Sequence, residues 1–155
     1  MAFGHREPRE NRDTVKEFEE RIIQINRVSK KTQGGNTIHF SAIVALGDKK
    51  GSFGFGQGKA RDVSQAITKA SKAAKANMLK IKMNNGTITH EVRYKEGSAV
   101  VLLKPAKEGS GIIAGGVIRH AMELAGVKDV TAKMFGSSNK LLNLTATAEA
   151  LKRLR

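Results

Sequence analysis

The chain has 155 residues, enough for one domain or two small ones, and a formal net charge of +14. It contains no cysteine, which excludes disulfides and thiolate metal sites, and no apolar run approaches the length of a membrane span. The charge is uneven. Residues 21–82 hold 13 basic and 2 acidic side chains, a field that attracts polyanions and, without bulky apolar helix faces, nucleic acid rather than membrane.

Residues 1–20 are charged and nearly balanced, and read as a flexible tail without the apolar core of a signal peptide. A cytoplasmic location follows by elimination. RIIQINRVS (21–29) has the apolar density of a strand. TIHFSAIVAL (37–46) alternates, with Ile38, Phe40, Ala42, Val44 and Leu46 on one face. Between them KKTQGGN (30–36) reads as a loop too long and too cationic for a minimal turn, mobile in the free protein. GDKKG (47–51) closes a second hairpin into a strand where Gly54, Gly56 and Gly58 alternate with Phe53 and Phe55. A strand face without side chains admits another backbone, or a phosphate chain, at close range. Phe53 and Phe55 are expected in a core beside Val44 and Leu46. A helix is predicted from near Lys59, with Lys59, Arg61 and Asp62 in its first turn. Val63, Ile67, Ala70, Ala74 and Met78 give it a thin apolar stripe, with Lys69, Lys72 and Lys75 on a different side.

Asn84-Asn85-Gly86 marks a turn. TITHEVRY (87–94) and SAVVLLKP (98–105) read as strands around a short KEG turn. EGSGIIAGG (108–116) leads into an amphipathic helix, VIRHAMELAG, stopped by Gly126. VKDVTAKMFG (127–136) reads as a strand. SSNKLLNLTATAEALKRLR reads as a helix capped within Ser137-Ser138-Asn139, with a basic last turn. The expected architecture is α+β: a tail over 1–20, an RNA-binding β-β-β-α domain over 21–83 and a β-β-α-β-α two-layer domain over 84–155. Each domain is small enough for its core to be marginal, and aromatics are only 5%, so each should lean on the other or on a partner.

Two glycine stretches imitate nucleotide sites and fail. Gly58-Lys59 would end a phosphate-binding loop only with glycine at 53 and a hydroxyl at 60, where Phe53 and Ala60 stand. Gly109 to Ala114 fits G-x-G-x-x-A, but Pro105 to Glu108 separate it from the strand, and Asp129 lies at the wrong end to meet a ribose. The four histidines are scattered, with His39 and His90 placed on strands, and none pairs at metal-ligand spacing. No catalysis, cofactor or metal is expected.

Structured RNA is gripped by cations, backbone N–H groups and helix N-termini. The candidate contacts are Arg21, Arg27, Lys30, Lys31, Lys49, Lys50, Lys59, Arg61, Lys69 and Lys72, with Val28, Ser29, Gly34, Gly35 and Asn36 of the loop and Gly54 and Gly56 of the strand. A separate candidate is the glycine-rich lead-in. Gly109, Gly111, Ile112, Ile113, Gly115, Gly116 and Arg119 carry little charge and suit a protein interface. Its glycines either supply positive φ for an internal turn or let another molecule approach closely.

The runs Asn26-Arg27-Val28-Ser29-Lys30, Gly34-Gly35, Gly47-Asp48, Gly54-Phe55-Gly56-x-Gly58-Lys59-Ala60-Arg61, Asn84-Asn85-Gly86-Thr87, Lys104-Pro105-Ala106, Glu108-Gly109-x-Gly111-Ile112-Ile113-Ala114-Gly115-Gly116 and Gly136-Ser137-x-Asn139 occur together and in order. In them the chain resembles bacterial small-subunit ribosomal protein five. The resemblance implies a first domain like a double-stranded-RNA-binding domain and a second with a left-handed crossover. It implies a structural constituent of the small subunit, bound to its ribosomal RNA near the decoding region and supporting translational accuracy. The loop matching Val28–Asn36 would reach an rRNA helix near the spectinomycin site. The implied neighbours are small-subunit proteins four and eight, with protein three where messenger RNA enters, and no homo-oligomer. The readings to separate are this one, a free-standing RNA-binding regulator and a nucleotide-dependent enzyme.

Overall fold

A computed structural model describes residues 18–154, so the expected tail lies largely outside the described residues. Strands β1 (Glu19–Thr32), β2 (Gly35–Gly47), β3 (Ser52–Ala60) and β4 (Leu79–Lys80) form an antiparallel sheet in that order. Helix α1 (Val63–Ala76) packs on one face of it. β1 and β2 pair as far as Thr32 and Gly35, so the connection is Gln33-Gly34 alone. That corrects the expectation of a long loop over 30–36. Gly35 takes φ +128° and the Thr32 hydroxyl donates to its carbonyl at 2.7 Å, so a two-residue reversal suffices and the cationic residues are absorbed into the ladder.

The glycine face of β3 is filled by α1. A Cβ on Gly54, Gly56 or Gly58 would lie 2.5, 2.4 or 2.2 Å from the carbonyl oxygen of Ala74, Ala70 or Ala66. Helix and strand therefore meet backbone to backbone, and the helix must also be small there. Its buried positions are Ala66, Ala70, Ser71 and Ala74, while Val63 and Ile67 sit at the margin. The helix also begins later than expected. Lys59 belongs to β3, and Asp62 is the residue before the first turn.

The two faces of this sheet feed two cores. Ala42, Val44 and Leu46 pack with Ala60 and the alanines of α1. The register places Gly56 opposite Val44, and Gly54 opposite Leu46. Phe53 and Phe55, stacked at 6.4 Å, therefore face the other way, with Ile43 and Ala45 and into the second domain. The expected placement of the phenylalanines beside Val44 and Leu46 is corrected: alternation separates them.

A short hairpin, β5 (Met83–Asn84) and β6 (Thr87–Ile88), turns at Asn85-Gly86. β7 (Val92–Glu96), β8 (Ala99–Pro105), β9 (Ile112–Ile113) and β10 (Val130–Phe135) form a sheet in the order β7-β8-β10-β9. The strand expected over 87–94 is broken at 89–91, where His90 is exposed rather than on a strand. β9 was not foreseen; two residues of strand leave no readable period. It pairs parallel with β10 across helix α2 (Gly116–Ala125). Gly126 ends α2 in the left-handed region at φ +86°, as expected. Helix α3 (Lys140–Lys152) is capped by Asn139, whose side chain accepts from the Leu141 amide at 3.0 Å. α2 and α3 bury Ile118, Met122, Leu144 and Leu151 with Val101, Leu103 and Val130 of the sheet in one cluster. Ile43, Ala45 and Phe53 of the first domain belong to that same cluster. The domains share a core, as their size required.

Candidate nucleic-acid interface

The β1/β2 hairpin runs past the helix that covers its base. From Ile25 to Asn36 every residue is exposed, including Arg27, Val28, Ser29, Lys30, Lys31, Gly34 and Gly35. Cross-strand partners share a face, so Arg27, Ser29 and Lys31 lie with Phe40, Ile38 and Asn36 on the α1 side. Asn26, Val28 and Lys30 lie on the other, with Ser41, His39 and Thr37. The arm thus presents cations on both faces. At its base Arg27, Phe40 and Ala60 form one row across three strands, and Asn26, Ser41 and Lys59 the next. Lys59 and Arg61, both exposed, therefore stand beside the foot of the arm. Lys69 and Lys72 are exposed on α1, away from its alanine face. These residues form one basic end of the sheet.

Lys49 and Lys50 are not part of it. They sit in the β2–β3 turn, at the opposite end of a 13-residue strand, about 40 Å from the arm's tip and about 20 Å from its foot at ~3.3 Å per residue. Lys49 is ion-paired with Glu19, and that bond holds the Glu19 carboxyl below its ordinary range. The turn is built on Asp48, whose carboxylate accepts from the amides of Lys50 and Ser52 at 2.7 and 2.8 Å. Partial burial pushes its pKa up, but these bonds together outweigh it and hold the carboxyl below its ordinary range.

Three further candidates are taken up by the fold itself. Arg21 points across the domain boundary: it donates to His120 Nδ1 at 2.8 Å and is ion-paired with Glu123. Gly54 and Gly56 are buried against α1, so the strand face that suggested phosphate contact holds a helix backbone instead. The start of α1 carries an acid of its own. Ser64 Oγ donates to the Asp62 carboxylate and holds it below the ordinary range, so that helix terminus does not present a free site for phosphate.

The glycine-rich lead-in resolves residue by residue. Gly109 and Gly111 take φ +83° and +71°, with open space where a side chain would be. They supply the internal turn. The Gly111 amide donates to buried Asp129 at 2.8 Å, and the Val130 amide to the Gly111 carbonyl at 3.2 Å. Asp129 thus organises this turn. Gly115 makes room for Met134, which an added Cβ would meet at 2.2 Å, whereas Gly116 faces open space. Ile112 is half-buried and Ile113 is 57% exposed. Arg119 folds back to donate to the Ile112 carbonyl at 3.2 Å. An apolar side chain and a tethered cation are left facing outward.

Sequence reading missed the polar row on the sheet face opposite α1. Gln24, Asn26 and Gln57 line a groove with Ser137, Ser138 and Asn139 of the other domain. The alternation of Gln24 and Asn26 within an apolar strand was the available signal. Among the described residues, no group of three or more metal-ligating side chains gathers, and no helix is long and apolar enough to cross a membrane.

Two family descriptions cover most of the chain. Ribosomal protein S5, N-terminal domain, matches residues 18–82. Ribosomal protein S5, C-terminal domain, matches residues 94–155. The first covers the sheet with its arm and α1, and the second the sheet with α2 and α3. With both domains matched in order, the chain belongs to the ribosomal protein S5 family.

Proposed function

We propose that this chain docks the basic end of its first sheet on small-subunit rRNA near the decoding region, and so supports accurate tRNA selection and the path by which messenger RNA enters. Its family makes it an rRNA-binding structural constituent of the small subunit rather than an enzyme. The single observation that carries the docking is the arm. Residues 25–36 form a regular ladder with every side chain exposed, so its ordering is not repaid by burial within the protein, and a partner must supply that contact. Arg27, Lys30 and Lys31 on its two faces specify a polyanion. The remaining contacts come from Val28, Ser29, Gly34, Gly35 and Asn36 backbone or side chains, and from Lys59, Arg61, Lys69 and Lys72 at its foot.

The cytoplasmic ribosome is the corresponding location, with the chain present as a single copy. The Gly109–Arg119 surface, with Ile113 outward, suits a ribosomal protein neighbour, and by family likeness that is small-subunit protein four. By the same likeness small-subunit protein eight is a further neighbour, with protein three near the messenger path. The test is hydroxyl-radical footprinting of small subunits reconstituted with the wild-type chain or with Arg27, Lys30 and Lys31 all changed to alanine. The expected result is loss of one cluster of protections beside the decoding region. Unchanged protections in the triple variant would remove the arm from the rRNA. Arg119→Leu tests the protein contact separately, through stop-codon readthrough in cells and retention of protein four on purified subunits.

A further inference from the structure

We infer that the groove between the two domains, on the sheet face opposite α1, seats a single unpaired RNA nucleotide and recognises its base edge or ribose rather than its phosphate. The inference rests on the rRNA-binding reading above and adds a second contact to it. The groove encloses about 560 Å³, within the range of sites that hold small organic groups, roughly 300–1,000 Å³. One wall is the sheet, with Gln24, Asn26 and Gln57. The other is the loop Ser137–Asn139 and the first residues of α3.

The chemistry of the wall decides the ligand. Gln24 Nε2 donates to Asn26 Oδ1 at 2.7 Å, and Gln57 Nε2 donates to Ser41 Oγ at 3.0 Å. Those bonds fix the carboxamides. They also leave Gln24 Oε1, Gln57 Oε1 and Asn26 Nδ2 without partners among the described residues. A wall that offers acceptors and donors side by side disfavours a phosphate, which accepts only, and matches a base edge or a 2′-hydroxyl. Leu141, half-buried, gives the groove an apolar edge, with Ile43 buried at its floor. The cations stand at its margin: Lys59, in register with Ser41, and Lys140 on the rim. They are placed for the phosphates on either side of a seated nucleotide. The backbone amides at the start of α3 play no part. Its cap is closed internally, the Leu141 amide on Asn139 Oδ1 at 3.0 Å and the Asn139 amide on Ser137 Oγ at 3.2 Å.

The experiment uses the full chain and small-subunit rRNA. Gln24→Met with Gln57→Met removes the hydrogen-bonding groups at nearly constant volume and charge. Affinity should fall roughly five- to tenfold, the loss of one or two net hydrogen bonds, with the salt slope unchanged. In the complex, one unpaired nucleotide should regain reactivity toward 2′-hydroxyl acylation. Lys30→Ala with Lys31→Ala should instead lower the salt slope and leave that nucleotide protected. Wild-type affinity and acylation in the methionine variant, with the lysine variant weakened, would make the groove a hydrated cleft and overturn the inference while sparing the docking reading. Full affinity in both variants would remove the docking reading itself. Should the methionine pair lower the Tm, Gln57→Glu decides. It keeps the side chain's length and shape at an exposed position and places a carboxylate against the nucleotide. Unchanged acylation there would also overturn the inference.

Discussion

Lys49 and Leu124 join the two domains backbone to backbone, the Lys49 amide donating to the Leu124 carbonyl at 2.9 Å. Beside them the Gly51 amide donates to the Ala125 carbonyl at 2.9 Å. Such closeness requires bare backbone. A Cβ on Gly47 would lie 2.1 Å from the Leu124 oxygen, and one on Gly126 would lie 2.2 Å from the Lys49 oxygen. Gly126 is constrained twice, because its φ of +86° also disfavours any side chain.

Gly47→Ala should therefore force the seam apart. Overpacking against backbone that cannot rotate away costs about 1–3 kcal/mol, read as a lower urea midpoint. The Lys49 and Gly51 amides should exchange faster in the variant. Gly34→Ala, with nothing within 4 Å and no positive φ, is the control and should melt with the wild type. A native melting curve for Gly47→Ala would show that the domains part there without loss.

The glycine strand makes a parallel case inside the first domain. Gly56→Ala would place a methyl 2.4 Å from the Ala70 carbonyl and 2.5 Å from the Ala74 amide. Neither can yield without moving α1 as a body. We expect a loss of about 1–3 kcal/mol that a compensating cavity in the helix, such as Ala70→Gly, does not restore, because backbone rather than side chain is the obstacle. Full rescue by Ala70→Gly would contradict that account.

The first domain was legible where period and chemistry agreed. Alternation from Ile38 to Leu46 and the glycine spacing both describe the sheet, and Gly126 and Asn139 mark helix ends through local backbone needs. What failed was non-local. Nothing in Lys30–Asn36 reveals that the ladder continues to Thr32, because an exposed hairpin carries no apolar period. The direction of Phe53 was misread because which face of the sheet meets which domain is set by tertiary packing. Arg21 looked like one cation among many, and only the approach of Glu123, 102 residues on, shows it engaged. The polar groove joins residues from both domains, so no single stretch of sequence contains it.

Asp48 makes the seam sensitive to acid. Its folded pKa lies below the ordinary 3.8, so its contribution to stability is present above that value and is lost as the pH falls through the folded pKa. Asp48→Asn should lower the Tm at neutral pH. The difference from wild type should shrink as the pH drops below 4. A difference that stays constant down to acid pH would place the effect in shape rather than in charge.

The last prediction separates the two basic ends of the first sheet. Counterion release ties the salt dependence of RNA binding to the number of cations on phosphate, about one unit of slope per contact. The arm carries Arg27, Lys30 and Lys31 without an acidic partner in the ion pairs formed among the described residues, and Lys59 and Arg61 stand at its foot. Single alanine variants at Lys30, Lys31 and Lys59 should each lower the slope by roughly one, with little change in Tm. Lys49 is the opposite case, held by Glu19 and built into the turn that meets α2. Lys49→Ala should leave the slope unchanged, and because the pair it loses is solvent-exposed the Tm should change little. The measurement is affinity for small-subunit rRNA across a series of salt concentrations. Equal loss of slope at Lys49 and Lys30 would mean that RNA spans both ends of the sheet, and that the arm is not the seat of binding.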